Sequence, residues 1–304
     1  MTETINVYPL VSICTPTFNR RPFIPYLIKC IHQQTYPQNF IEWIIVDDGT
    51  DHIEDLVKDI PIVKYFKYTE KMTLAKKRNI HNDKCSGDII IYMDDDDYYP
   101  PSRITSAVYA LLANPTYLIA GCLELPIYYH SKETIYIMGP YGENRITAAS
   151  FAFRRQLLDI TRYNDTDSIS EEKFFLQNYT IPIIPLNPVN TILVVSHPHN
   201  TIDKTSILSQ SGAQSKFIKA STINAADVIQ DPTMYDFYIT RLYDILHQYE
   251  SGNPSYKPDV LLSIKDAQIS RLTTKLQLTM VENERLTNLN SKLRDMILRE
   301  FAKR

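Results

Sequence analysis

At 304 residues with 44% hydrophobic side chains, the chain is long enough to bury a sizeable core as one large or two ordinary domains. Its formal net charge of −3 excludes a blanket attraction to nucleic acid or to an anionic membrane, so no nucleic-acid partner is expected and any anionic ligand must be held by local groups. Only seven glycines occur, and neither GxxxxGK nor GxGxxG is among the motifs, which excludes a glycine-rich phosphate loop of the P-loop or dinucleotide-binding kind.

The first residues, Met1 to Asn6, show neither a basic stretch nor an apolar leader, and no window reaches the roughly 20 apolar residues of a membrane helix. The longest apolar stretch, Ile181 to Val195, is broken by Pro182, Pro185 and Pro188. Cys14, Cys30, Cys85 and Cys122 lie far apart without a CxxC pair and are expected to be reduced, buried thiols. A cytoplasmic protein with no transmembrane segment is the expectation.

In chain order, Tyr8 to Cys14 is an apolar run predicted as a strand that stops at the loop Thr15-Pro16-Thr17-Phe18-Asn19-Arg20, with Pro16 marking the stop. From Pro22 to Gln33, Phe23, Tyr26, Leu27, Cys30 and Ile31 recur at helical spacing behind an early proline. Trp43 to Val46 reads as a second strand running into Asp47-Asp48-Gly49-Thr50-Asp51, Ile53 to Ile60 as a short helix and Ile62 to Phe66 as a third strand. A helix is predicted over Thr73 to Asn82, carrying Lys76, Lys77 and Arg78, and a fourth strand over Ile89 to Met93. Strands alternating with helices at this spacing imply a mostly parallel α/β sheet flanked by helices, with ligands beyond the carboxyl ends of the strands. That rule gathers Thr15–Arg20, Asp47–Asp51 and Asp94–Asp97 at one edge.

The fourth strand delivers Asp94-Asp95-Asp96-Asp97 directly off a buried run. Adjacent carboxylates repel by roughly 1 kcal/mol or more per close pair at protein-surface dielectric, so a cation is expected among them. All-oxygen ligands suit Mg²⁺ or Mn²⁺, which complete their coordination with substrate phosphates. A calcium loop of the EF-hand type lacks its glycine and its closing glutamate here.

Four pieces in this order and spacing resemble the family 2 glycosyltransferases of the GT-A, Rossmann-like fold: Val11 to Arg20, Trp43 to Thr50, Lys77-Arg78-Asn79 and Gly87 to Pro101. The resemblance fades after about residue 125 and ends by about residue 220. It implies a hexosyltransferase-type enzyme using a nucleotide-diphosphate sugar, a UDP-sugar foremost, with a hydroxyl acceptor on a glycan, protein or lipid. It implies that Pro16, Phe18, Arg20 and Asp48 lie at the nucleotide and that Arg78 leans over it. Asp94 or Asp95 corresponds to the ribose-contacting acid, and Asp96 to the metal ligand of the DxD motif.

An inverting transfer also needs a base for the acceptor hydroxyl. The family's (E/D)-D-x-x-(apolar) pattern is matched by Glu171-Glu172-Lys173-Phe174-Phe175-Leu176, with glutamate for the usual aspartate. Glu172 aligns with the second acid, and Glu171 does so if Phe174-Phe175 is the anchor. Downstream, His197 with Asn200-Thr201 resembles an H-x-x-N-T element that adds a metal ligand, His199 being the second candidate. No Q-x-x-R-W element follows, so a processive synthase is not expected.

The resulting domain plan is a glycosyltransferase domain over 1–220, its nucleotide half about 8–101 and its acceptor half about 102–220, then a helical region 221–250, a linker 251–258 and a coiled-coil helix 259–304. In the last, Leu262, Ile269, Leu276, Asn283, Asn290 and Ile297 take heptad position a, with Leu272, Thr279, Leu286 and Leu293 at d, a pattern that predicts a homodimer. A sugar nucleotidyltransferase, and a non-catalytic binding module with the coiled coil as its function, are the alternatives. Residue usage rich in Ile, Tyr, Asn and Lys resembles proteins of AT-rich genomes, including glycosyltransferases of large DNA viruses.

Overall fold

The computed structural model describes residues 8–201, 204–205, 208 and 217–302, so the expectation for Met1 to Asn6 lies outside the described residues. The chain divides into a unit Met1–Lys257 and a unit Pro258–Arg304. In the first, β1 (Val11–Thr17), α1 (Ile24–His32), β2 (Ile41–Asp47), α2 (Glu54–Val57), β3 (Val63–Lys67), α3 (Leu74–Lys84), β4 (Ile89–Tyr92) and α4 (Arg103–Ala113) alternate as the spacing predicts. There follow β5 (Ile119–Gly121), β6 (Leu125–Tyr129), β7 (Thr134–Met138), β8 (Ala152–Arg154), α5 (Glu172–Phe175), β9 (Ile183–Pro185), β10 (Val194–Ser196) and β11 (Ile218–Ala220). Short helices α6 (Ala225–Val228), α7 (Pro232–Tyr235) and α8 (Leu242–His247) close the unit.

Among the described residues, one sheet runs β3-β2-β1-β4-β8-β5-β9, and a smaller one runs β10-β6-β7-β11. The first four strands are parallel, whereas β8 is antiparallel to both β4 and β5. Side chains of β1, β2 and β4 are buried on both faces, as a sheet covered by helices on each side requires. Alternation sorts them: Ile13, Ile89 and Ile91 enter the core beneath α1 with Phe23 and Leu27, while Cys14, Ile90 and Tyr92 enter the opposite core with Phe153 and Phe175.

Three expectations are corrected. Pro16 does not end β1, which continues to Thr17 beside β2. The Cys14 carbonyl accepts from Met93 N–H toward β4, and Pro16, two residues on, faces that same side after β4 has ended, where a missing N–H costs nothing. The helix expected over Ile53–Ile60 is only one turn, α2. Residues 251–257 are no free linker. Ser251 O accepts from Asn19 Nδ2 at 2.8 Å, Gly252 O from Arg20 at 3.2 Å, and Tyr249 Oη donates to Asp51 at 2.7 Å. A Cβ at Gly252 would stand 2.6 Å from His199 Nδ1, so this glycine permits close approach rather than flexibility.

The second unit is one helix, α9 (Pro258–Phe301), whose heptad residues are exposed. No helix among the described residues is long and apolar enough to cross a membrane.

At the amino end of the main sheet, buried Glu42 on β2 accepts from Ser12 Oγ, Ser86 N–H and Oγ, and Lys64 Nζ, each at 2.5 or 2.6 Å. Against its burial, these donors hold its carboxyl down at about 2. Stability from this hub is therefore complete above the ordinary glutamate range and is lost as pH falls toward 2. Glu42→Gln should cost about 2 kcal/mol at neutral pH by urea denaturation, with the gap to wild type closing in acid.

Candidate active site

The carboxyl ends of β1, β2 and β4 meet as expected, and the acidic run sits at their junction. Tyr98 exchanges backbone hydrogen bonds with Leu193 at 3.0 and 2.9 Å. That bridge starts β10 beside the acidic run and brings His197, one residue beyond the strand, to Asp96. His197 Nε2 lies 3.2 Å from Asp96 Oδ2. These two residues are 101 apart in sequence and would not be paired by any local pattern.

Each carboxylate of the run has a different environment. Asp94 receives the Arg78 guanidinium at 3.4 Å, and its N–H donates to Tyr99 Oη at 2.6 Å. Asp95 Oδ1 is 3.6 Å from Arg20 Nε, while its buried Oδ2 has no hydrogen-bond partner among the described residues. Burial and the Asp96 charge push the Asp95 carboxyl up to about 7. Asp96 lies 3.6 Å from Arg20; despite burial, the His197 contact and Arg20 hold its carboxyl below the usual range. Asp97 turns inward, accepting from Val195 N–H at 3.4 Å, and burial raises it well above the usual range. The run is thus only partly neutralised by protein cations.

Burial keeps the His197 ring neutral, pushed down to about 3, which is the state that ligates metal. Asn200 Nδ2 at 2.8 Å calls for a lone pair on Nε2, whereas His199 N–H at 3.2 Å from Nδ1 calls for one there. A neutral ring meets one of these at a time. With the proton on Nε2 it donates to Asp96; with the proton on Nδ1, the Nε2 lone pair accepts from Asn200 Nδ2 beside the Asp96 carboxylate, and His197 and Asp96 would hold a divalent cation in place of that hydrogen bond. Among the described residues no complete cluster of three His, Cys, Asp or Glu ligands is preformed. Two protein ligands with the remainder from a ligand's phosphates is the usual arrangement for Mg²⁺-type ions, so the residues fit.

The predicted nucleotide residues gather beside the run. Pro16, Phe18, Arg20, Lys77, Asp94, Asp95, Asp96, Thr201 and Lys257 surround a pocket of 100 Å³. Asp48 is fully engaged: Oδ1 pairs with Lys77 Nζ at 2.7 Å and Oδ2 accepts from Met72 N–H at 2.6 Å. Arg20 is likewise engaged, donating to His199 O at 2.6 Å and to Gly252 O, so it braces the acidic run from beneath. Lys77 and Lys257 were not singled out from sequence. Lys77 stood next to Arg78 on a helix with no amphipathic signal, and Lys257 lay in the presumed linker.

Next to this pocket is a cavity of 330 Å³ lined by Arg78, Asp94, Asp96, Arg145, Glu171, Glu172 and Lys204, with aliphatic walls from Leu125, Ile127 and Met138. Ser170, at φ 54°, turns the chain into α5 and sets both glutamates at its rim. They differ in kind. Buried Glu171 is fixed by Arg78 Nε at 2.9 Å. Glu172 has no cation within ion-pair distance among the described residues, and burial together with the Glu171 charge pushes its carboxyl up to about 7. Arg78, lying 4.6 Å over the Tyr92 ring, joins Glu171 to Asp94. His199 points away, toward Gly252, and burial lowers it to about 4.

Residues 12–160 match the family described as glycosyl transferase family 2. A Haemophilus influenzae protein named an uncharacterized glycosyltransferase is 31% identical over 118 residues, covering 37% of this chain and 46% of that protein. The match therefore spans under half the length of that curated relative. A mannosyltransferase from Pyrobaculum calidifontis, solved with GDP-Man and Mn²⁺, shares the fold with a TM-score of 0.52 at 18% identity, over 90% of this chain and 81% of that one. S. aureus TarS 1-349, solved with UDP, gives a TM-score of 0.50 at 14% identity, over 76% and 73% of the two chains. Residues 12–160 thus belong to glycosyl transferase family 2, and with the mixed α/β sheet the chain has the GT-A fold.

Proposed function

We propose that this chain is a metal-dependent inverting glycosyltransferase that passes a sugar from a nucleotide-diphosphate donor, a UDP-sugar, to a hydroxyl acceptor. The observation that carries this is the meeting of Glu172 with Asp94, Asp96 and Arg78 around one cavity, with the cation-rich pocket of Phe18 opening beside it. The nucleotide diphosphates bound by the two fold neighbours are carried over to this chain as part of the proposal.

Asp96 and His197 would hold Mn²⁺ or Mg²⁺, which when bound offsets charge developing on the leaving diphosphate. Phe18 and the Asp48–Lys77 pair border the base, and Asp94 or Asp95 takes the ribose. In an inverting transfer the acceptor oxygen attacks the anomeric carbon on the face opposite the diphosphate, and the new glycosidic bond forms as the bond to the diphosphate breaks. Glu172 takes the proton of the acceptor hydroxyl at its carboxylate. Glu171, pinned by Arg78, keeps negative charge beside Glu172 and so keeps the base near neutrality in strength. The exposed a and d residues of α9, such as Ile269 and Leu272, support the further proposal that two copies pair along this helix.

The ionised form of Glu172 is the base, so the rate should rise with pH through about 7 and level off above it. Glu172→Gln should lower kcat by about 100-fold or more while leaving the donor KM within about twofold, and should flatten this limb of the profile. A variant that keeps wild-type kcat on a panel of UDP-sugars would remove Glu172 from the role. For the helix, Leu272→Asp with Leu286→Asp should convert a dimer into a monomer by light scattering.

A further inference from the structure

Lys257 is the last residue of the first unit, in a segment that lies far outside the matched residues 12–160. It is only 8% exposed. Its Nζ donates to Thr201 Oγ1 at 3.1 Å and stands 5.6 Å from the centroid of the Phe18 ring, which Lys71 and Lys77 also approach, at 5.4 and 6.0 Å. Its neighbours' charges are committed elsewhere: Lys77 to Asp48, and Arg20 to Asp95 and Asp96. Among the described residues no carboxylate lies within ion-pair distance of Lys257. A buried ammonium held by one hydroxyl is short of negative charge. Burial, then Arg20 and Lys77, accordingly lower its pKa well below the usual lysine value.

The position of this side chain is fixed. Asn19 and Arg20 hold Ser251 O and Gly252 O, and Tyr249 is tied to Asp51, so the strap over 249–257 closes on the loop after β1. Asp94, Asp95 and Asp96 line the same pocket. A ligand that lies between an ammonium and a carboxylate cluster must present anionic oxygens to the first and share a cation with the second, which a diphosphate does.

We infer, given the donor site proposed above, that Lys257 binds the diphosphate of the donor, so that a C-terminal strap rather than the matched family segment supplies this phosphate contact. The test is isothermal titration in Mn²⁺ of wild type, Lys257→Met and Lys257→Arg with UDP, GDP and CDP, and then with the nucleoside of whichever diphosphate binds wild type most tightly. The expected result is a loss of about tenfold or more in diphosphate affinity for Lys257→Met, nucleoside affinity within about twofold, and recovery of most of the loss in Lys257→Arg. Equal diphosphate affinity in wild type and Lys257→Met overturns the assignment. So does a parallel loss of diphosphate and nucleoside, which would mark a structural role. If wild type binds none of the three diphosphates, the donor site itself is absent and both proposals fall.

Discussion

Asp94 to Asp97 leave a strand that is buried on both faces, and the mutual repulsion of their side chains must be met by whatever surrounds them. Much of the local architecture follows from that need. Arg78 comes to Asp94 from α3, Arg20 reaches Asp95 and Asp96 from the loop after β1, and His197 reaches Asp96 from the end of β10. Asp97 is handled differently: burial raises its pKa and it caps β10 through Val195 N–H. Among the described residues these arrangements still leave Asp95 Oδ2 without a donor, and in one of two tautomers Asp96 lies beside a histidine lone pair that Asn200 shares. Partial neutralisation of this kind suits a site that receives a cation together with an anionic ligand, and suits it only when both arrive.

Topology explains how so few contacts suffice. Parallel pairing of β1 with β2 and β4 places three loops at one edge, and the antiparallel β8 turns the second half of the sheet so that the cavity opens beside the acidic run. The Tyr98–Leu193 bridge then carries the smaller sheet to the same edge. Arg78 links the two halves, since it touches both Asp94 and Glu171, residues 77 apart in the sequence. Losing that guanidinium would leave two buried or half-buried carboxylates facing each other.

The alternation of strands and helices up to β4, the acidic run and the pairing of Glu171 with Glu172 were legible because each is a local pattern of period, breaker or charge. Pro16 misled because its cost depends on which neighbouring strand has ended, a fact of register and not of composition. The stretch 251–257 misled for a related reason. Its glycine, asparagine and prolines read as a hinge, yet Gly252 is there so that the backbone can lie against His199. Lys257 was invisible in the sequence since nothing near it in the chain shows that Phe18 and Thr201 are its neighbours. The difference between Glu171 and Glu172, one bound by Arg78 and the other not, is likewise a long-range fact.

The role proposed for Asp96 is to join a divalent ion to a nucleotide diphosphate. Titrating UDP into wild type and Asp96→Ala, each with and without Mn²⁺, addresses it most directly. Wild-type affinity should depend strongly on the metal and that of the variant not at all, its residual affinity equalling that of the metal-free wild type. Equal affinity for UDP in all four arms would remove Asp96 and the metal from donor binding.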